Sequence, residues 1–168
     1  MRWFIDTEFH EDGRIIDLIS IALVSEAGTP YYAISSDFDP NICSDWVKQN
    51  VLPSLESGRE FWKPRTQIAE DIRELTLYGS PNGPEFWGYF CDYDWVVLCQ
   101  LYGRMIDLPR GFPMFCLDLK QKMHELGISK SDLPQQDVLT LHNALDDAHW
   151  IRSAWIRVGE LEKKWRMG

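Results

Sequence analysis

Asp6 and Glu8 stand one residue apart in the opening stretch MRWFIDTEFHEDG, directly behind the apolar run Trp3, Phe4 and Ile5. In a β-strand, residues i and i+2 point to the same face, so a strand here would carry both carboxylates out as a pair. Adjacent carboxylates repel and raise one another's pKa unless a cation or a base offsets them, and an all-oxygen pair suits a hard divalent cation. A solvated turn is the competing reading, because acids behind a strand are common and Asp12-Gly13 is an ordinary hairpin signal. The opening alone does not choose between them.

Two later stretches offer matching groups. Asp94, in CDYDWVVL, falls at the junction between EFWGYF and a helical pattern, where α/β sheets place their chemistry. Taken alone, Asp94 reads as an N-cap or first-turn acid favoured by the helix dipole, and so does Asp92 beside it. In LHNALDDAHWIRSAWIRV, Leu141, Leu145, Ala148, Ile151 or Arg152, Trp155 and Val158 trace one helical face, which leaves His142, Asp146 and Asp147 over. Asn143 can cap this helix with Asp146 as the capping-box acid at N3, and Asp147 then has no structural task. A His142 inside the helix would instead share its face with Asp146 at i+4; with Asn143 as the cap, that angular argument lapses.

The elements that would position these groups follow from the apolar pattern. Strand WFI leads to the acids, IIDLISIALVS follows the Asp12-Gly13 turn, Ala27-Gly28 turns the chain again, and TPYYAISS makes a third strand of an antiparallel meander. Ser44 or Asp45 can cap a short helix through Trp46, Val47 and Val51 that Pro53 ends, and a second helix covers Arg65 to Tyr78 before Gly79-Ser80-Pro81. Strand EFWGYF, helix DYDWVVLCQLYG, a strand or extended lead-in at MFCLDLKQKMHELG, the polar loop SKSDLPQQD and a last long helix complete the chain. A meander followed by strands alternating with helices is the order of an α/β domain with a mixed sheet, antiparallel first and then parallel, flanked by helices.

Composition narrows the partners. One domain spanning residues 1–168 is expected at this length. With no signal-peptide pattern and no apolar run of membrane-spanning length, the expectation is a soluble cytoplasmic protein with no membrane partner. Cys43, Cys91, Cys99 and Cys116 lack CxxC spacing and read as buried thiols rather than zinc ligands. A formal net charge of -9 argues against holding nucleic acid by bulk charge, unless bound cations turn an acidic pocket into a phosphate site.

DTEF near the start, Tyr93-Asp94 at a strand-to-helix junction and HNALDDA at the head of a late helix resemble, in order, the three motifs of the DEDDh 3'-5' exonucleases of ribonuclease H-like fold. MRWFIDTEFHEDG, ISIALVSEAG and YDWVVLCQLYG are similar, more closely, to the polyadenylate-specific exoribonuclease family. The resemblance implies that Asp6, Glu8, Asp94 and Asp147 ligate two divalent cations, Mg²⁺ or Mn²⁺, and that His142 is the general base. It favours Asp147 over Asp146, since the family's last acid lies five residues after its histidine. The chain departs from the family at the middle motif, where Tyr89 and Phe90 stand in place of an asparagine.

The expected activity is release of nucleoside 5'-monophosphates from the 3' end of RNA. The same residues would serve a trimmer of single-stranded DNA, and a non-catalytic nucleic-acid-binding module on this fold is the rival from another class. A homodimer is implied by the resemblance alone. Phe9 is a core residue by type and a base contact by resemblance, and Leu18, Ile19 and Ser20 on the next strand read either as sheet core or as a wall for the terminal nucleotide. Asp118 has two equal readings, a helix cap or a contact to a ribose hydroxyl or base edge. His10, His124 and His149, and the basic tail Lys163, Lys164 and Arg166, read as flanking or solvated residues.

Overall fold

In the computed structural model, which describes residues 1–78, 80–137 and 141–167, the sheet grows from β1 (Arg2–Glu11), β2 (Ile16–Ser25) and β3 (Pro30–Ser35). β1 pairs antiparallel with β2, and β2 with β3, as the alternating pattern predicts. The turn between β1 and β2 is fixed by Asp12, whose Oδ1 accepts from the amides of Arg14 and Ile15 at 2.9 Å each. Gly13 takes the left-handed backbone there at φ 82°, which costs a glycine nothing.

Three shorter strands extend this meander in parallel: β4 (Trp62–Lys63) beside β3, β5 (Glu85–Gly88) beside β1, and β6 (Leu117–Asp118) beside β5, giving the order β4-β3-β2-β1-β5-β6. The mixed α/β sheet expected from element order is therefore present. β4 has no counterpart in the sequence reading, because two residues are too few for any periodicity to register. β5 stops two residues before the end of the apolar run EFWGYF. A Cβ on Gly88 would lie 2.3 Å from Cys91 Cβ, so the chain turns back too tightly there for any side chain, and Phe90 follows with φ 58°.

Helices cover both faces. On one lie α2 (Arg65–Leu77) and α3 (Asp92–Gln100), where Ile68, Ile72, Val97 and Leu98 pack with Trp3, Ile5, Ile21, Leu23 and Phe86. The other carries α1 (Asp45–Asn50), α4 (Leu119–Glu125) and the long α5 (Ala144–Met167). Ala144 and Ala148 of α5 meet Ile19, Ala22, Val24 and Ile34, while Ile151, Ala154 and Val158 meet Phe4, Leu119 and Met123. The small residues Ala144 and Ala148, fully buried, let α5 approach the sheet at the level of the acids.

Ser44 caps α1, its Oγ accepting from the Val47 amide at 3.3 Å, so of the two candidates Ser44 is the cap. Gly79, one of the expected helix breakers, lies outside the described residues. No helix among the described residues is long and apolar enough to cross a membrane.

Candidate active site

Strand parity places the first two acids together. Phe4, which is fully buried, meets the α5 side of the sheet, and Asp6 and Glu8 follow it at intervals of two. A bulge sharpens this edge: Glu8 pairs with Ser20 but Phe9 pairs with Leu18, so Ile19 is an extra residue on β2. Ile19 and Ser20 consequently break the alternation, and Leu18 packs on the α3 side with Phe9. All three are sealed in the sheet, with Leu18 3% exposed and Ile19 and Ser20 0%.

α5 supplies the third acid. Asn143 caps it, its Oδ1 accepting from the amides of Leu145 at 3.0 Å and Asp146 at 3.3 Å, so Asp146 stands exposed at N3 and Asp147 one position on. One carboxylate oxygen from each of Asp6, Glu8 and Asp147 lies within 4.8 Å of the others. Burial is the first reason that Asp6 is held well above the usual carboxylate range, with repulsion from Asp94, Asp147 and Glu8 behind it. Glu8 is pushed up to about 8 by burial and then by Asp147 and Asp94. Asp147 is raised by burial, against a hydrogen bond from Gln136 Nε2 that favours its charged form. Such a cluster, with oxygen donors alone, fits a divalent cation.

Asp94, in the first turn of α3, is 7% exposed and lies outside that group of three, held beside it on Thr7. Its Oδ1 accepts from the Thr7 amide at 2.8 Å and the Thr7 hydroxyl at 2.5 Å. The residue between Asp6 and Glu8 thus ties down the fourth acid. Burial pushes Asp94 up to about 6, with both Thr7 bonds pulling the other way. Thr7→Val keeps the branched shape and removes the hydroxyl donor. It is expected to weaken divalent-cation binding about tenfold without unfolding the protein, measured calorimetrically with Mn²⁺, because partners behind metal ligands carry effects of that size. Unchanged affinity would show that Thr7 does not support the site.

His142 sits just before the helix with a left-handed backbone, φ 65°, and is held by a distant segment. Ser54 Oγ donates to the His142 carbonyl at 2.6 Å, Asn143 Nδ2 donates to the Ser54 carbonyl at 3.1 Å, and the Trp46 ring meets the imidazole edge-on with centroids 4.8 Å apart. Two hollows flank the acids. Glu8, Phe9, Glu11, Ser44, Trp46, Val47 and His142 line one, and the Phe9 ring packs on Tyr93 at 5.6 Å. Asp6, Tyr89, Gln136, His142, Asp147 and Trp150 are among those lining the other.

Asp118 lies apart from this cluster. Its Oδ1 caps α4 by accepting from Lys120 N at 2.6 Å and Gln121 N at 3.1 Å, while Oδ2 accepts from Cys91 N at 2.9 Å. The cap foreseen as one of its two readings is therefore present, and it also fixes the loop that leads to α3. Thr7, Ser54, Trp46 and Gln136 had no signal in the sequence, since each matters through a partner far along the chain.

The family model for the Rv2179c-like 3'-5' exoribonuclease domain matches residues 1–158. The chain belongs to that family. Over 149 residues it is 42% identical to the 3'-5' exoribonuclease Rv2179c of Mycobacterium tuberculosis, which covers 88% of this chain and 87% of the relative. Solved structures share the fold at low identity. Exonuclease I of E. coli in a complex with single-stranded DNA superposes with a TM-score of 0.70 at 13% identity, over 97% of this chain; the chain spans only 41% of that protein. The nuclease domain of 3'hExo, a DEDDh family member bound to rAMP, superposes at 0.55 with 13% identity, over 96% of this chain and 92% of that one. The ribonuclease H-like fold expected from the motifs is thereby established.

Proposed function

We propose that the protein is a metal-dependent 3'-5' exoribonuclease, a single domain over residues 1–168 that releases nucleoside 5'-monophosphates from the 3' end. Family membership makes the chain a 3'-5' exonuclease, and the 42% identity to an exoribonuclease favours RNA over DNA. The observation that carries the reading is the convergence of Asp6, Glu8 and Asp147 within 4.8 Å. Asp94 joins them through its bond to the residue between the first two.

Asp6, Glu8, Asp94 and Asp147 would hold two divalent cations, Mg²⁺ or Mn²⁺. Bound there, the cations lower the pKa of water and steady the charge on the leaving 3'-oxygen. His142 accepts the proton of the attacking water, a task that suits imidazole near neutral pH. Its fixed backbone and the edge of Trp46 keep the ring at the rim shared by both hollows. Phe9 offers the terminal base a face, with Leu18, Ile19 and Ser20 behind it on β2. Asp118 acts on the substrate at one remove, by holding the loop before α3. A homodimer working in the cytoplasm belongs to the same reading, and light scattering reads its mass.

Incubation with end-labelled RNA and DNA oligomers, with Mg²⁺ or with EDTA, tests the proposal. Stepwise shortening from the 3' end with mononucleotide release is expected only with the metal, and faster on RNA. Metal-independent binding without any mononucleotide release would overturn it in favour of a binding module.

A further inference from the structure

Phe90 is a large apolar side chain that the fold holds out in solvent. It is 64% exposed and its backbone is left-handed at φ 58°, a conformation that a bulky residue adopts only where its surroundings impose it. Two neighbours impose it: the absence of a side chain at Gly88 lets the chain turn, and Asp118 Oδ2 holds the Cys91 amide at 2.9 Å. The ring is braced, not buried. It meets Tyr89 edge-on at 4.8 Å, and Tyr89 meets Trp150 of α5 at 5.0 Å. Tyr89 and Trp150 both line the hollow that contains Asp6, His142 and Asp147, and Phe90, on the far side of Tyr89, lines the neighbouring hollow with Asp92, Asp118, Lys120, Gln121, His124 and Glu125.

Charge says what such a surface is for. The protein carries a net -9; among the described residues Lys130 is the one lysine or arginine lining the acid-side hollow, and Lys120 shares the hollow of Phe90 with Asp92, Asp118 and Glu125. Cations at the acids can hold the scissile phosphate, but basic side chains offer the strand beyond it little counterion release, and there the bases supply the hold, since their faces stack on aromatic rings with little regard to sequence. The two hollows also give the strand a direction. If the terminal nucleotide occupies the one with Phe9 and Trp46, the chain on the other side of the scissile bond leaves past Tyr89 and Phe90.

We propose that Phe90 is the stacking face for the unpaired base on the 5' side of the scissile phosphodiester. The inference rests on the exonuclease reading and adds a specificity determinant to it: substrates must be single-stranded for at least the last two nucleotides, and affinity must depend only weakly on salt.

Kinetics on two substrates test it. A hexaribonucleotide has a base on the leaving side of the scissile bond, whereas the 4-nitrophenyl ester of uridine 5'-monophosphate has none. Phe90→Asn keeps a residue that tolerates the left-handed backbone and removes the ring. It is expected to raise KM for the hexamer about tenfold or more while leaving hydrolysis of the ester unchanged, and Phe90→Trp restores the hexamer KM. A hexamer abasic at its second residue from the 3' end should be as poor for the wild type as the intact hexamer is for Phe90→Asn. No loss on the hexamer, or equal losses on hexamer and ester, would overturn the stacking role. A wild-type protein inert on both substrates with Mg²⁺ would sink the exonuclease reading, and this inference with it.

Discussion

Asp147→Ala will abolish mononucleotide release, a loss of about 10³-fold or more in kcat/KM, whereas Asp146→Ala one residue earlier will leave release within a few-fold of wild type. The two acids are chemically identical, and only geometry separates them. Asp147 offers an oxygen to the group formed with Asp6 and Glu8. Asp146 is exposed at N3, one of the amides that Asn143 caps. Its carboxylate faces the positive end of the α5 dipole, an interaction of about 0.3–1 kcal/mol that salt screens. Asp146→Ala should therefore register in the melting temperature, by a few degrees at most, and not in the rate. Gel assays of 3'-end shortening on both variants decide the matter, and the reverse pattern would mean that the last acid is Asp146 and that the cluster has another purpose.

Much of this geometry was legible because it rests on short-range rules. The parity of a strand put Asp6 and Glu8 on one face, and an Asx-type cap at Asn143 separated Asp146 from Asp147. The meander was legible for the same reason, since each turn residue and each alternation is local. What could not be read was whatever depends on partners distant in sequence. Nothing in TEF announces that the Thr7 hydroxyl will meet Asp94, and nothing in the loop after α1 announces that Ser54 will hold the His142 carbonyl. The bulge at Ile19 escaped as well, because a ten-residue strand that is apolar or small at every position but Asp17 reads the same with or without one extra residue. Tyr89 and Phe90 looked like a defect in the middle motif. In the fold they are an exposed ring and its brace beside the acids.

The acid cluster makes a second large effect follow, on stability. In a folded protein without metal, Glu8 is pushed up to about 8, Asp6 is raised well above the ordinary carboxylate value and Asp94 is pushed up to about 6. Groups whose folded-state pKa is raised bind protons that the unfolded chain has already released, so their contribution is complete below about pH 4.5 and is lost as the pH rises through the folded values. EDTA-treated protein should accordingly lose a few kcal/mol between about pH 5 and pH 8, a fall in melting temperature of about 10 °C. Mg²⁺ or Mn²⁺ should reverse the trend, since the cations bind the ionised folded form and add about 2.7 kcal/mol at a hundred times the dissociation constant. Glu8→Gln removes one of the raised acids and should flatten the metal-free profile in part, which separates the acids from any histidine that protonates over the same range. Thermal melts at pH 5, 6.5 and 8, with EDTA and with Mn²⁺, measure all of this. A metal-free melting temperature that holds level or rises towards pH 8, or a Mn²⁺ effect that survives Asp6→Asn undiminished, would show that these carboxylates do not form the cation site.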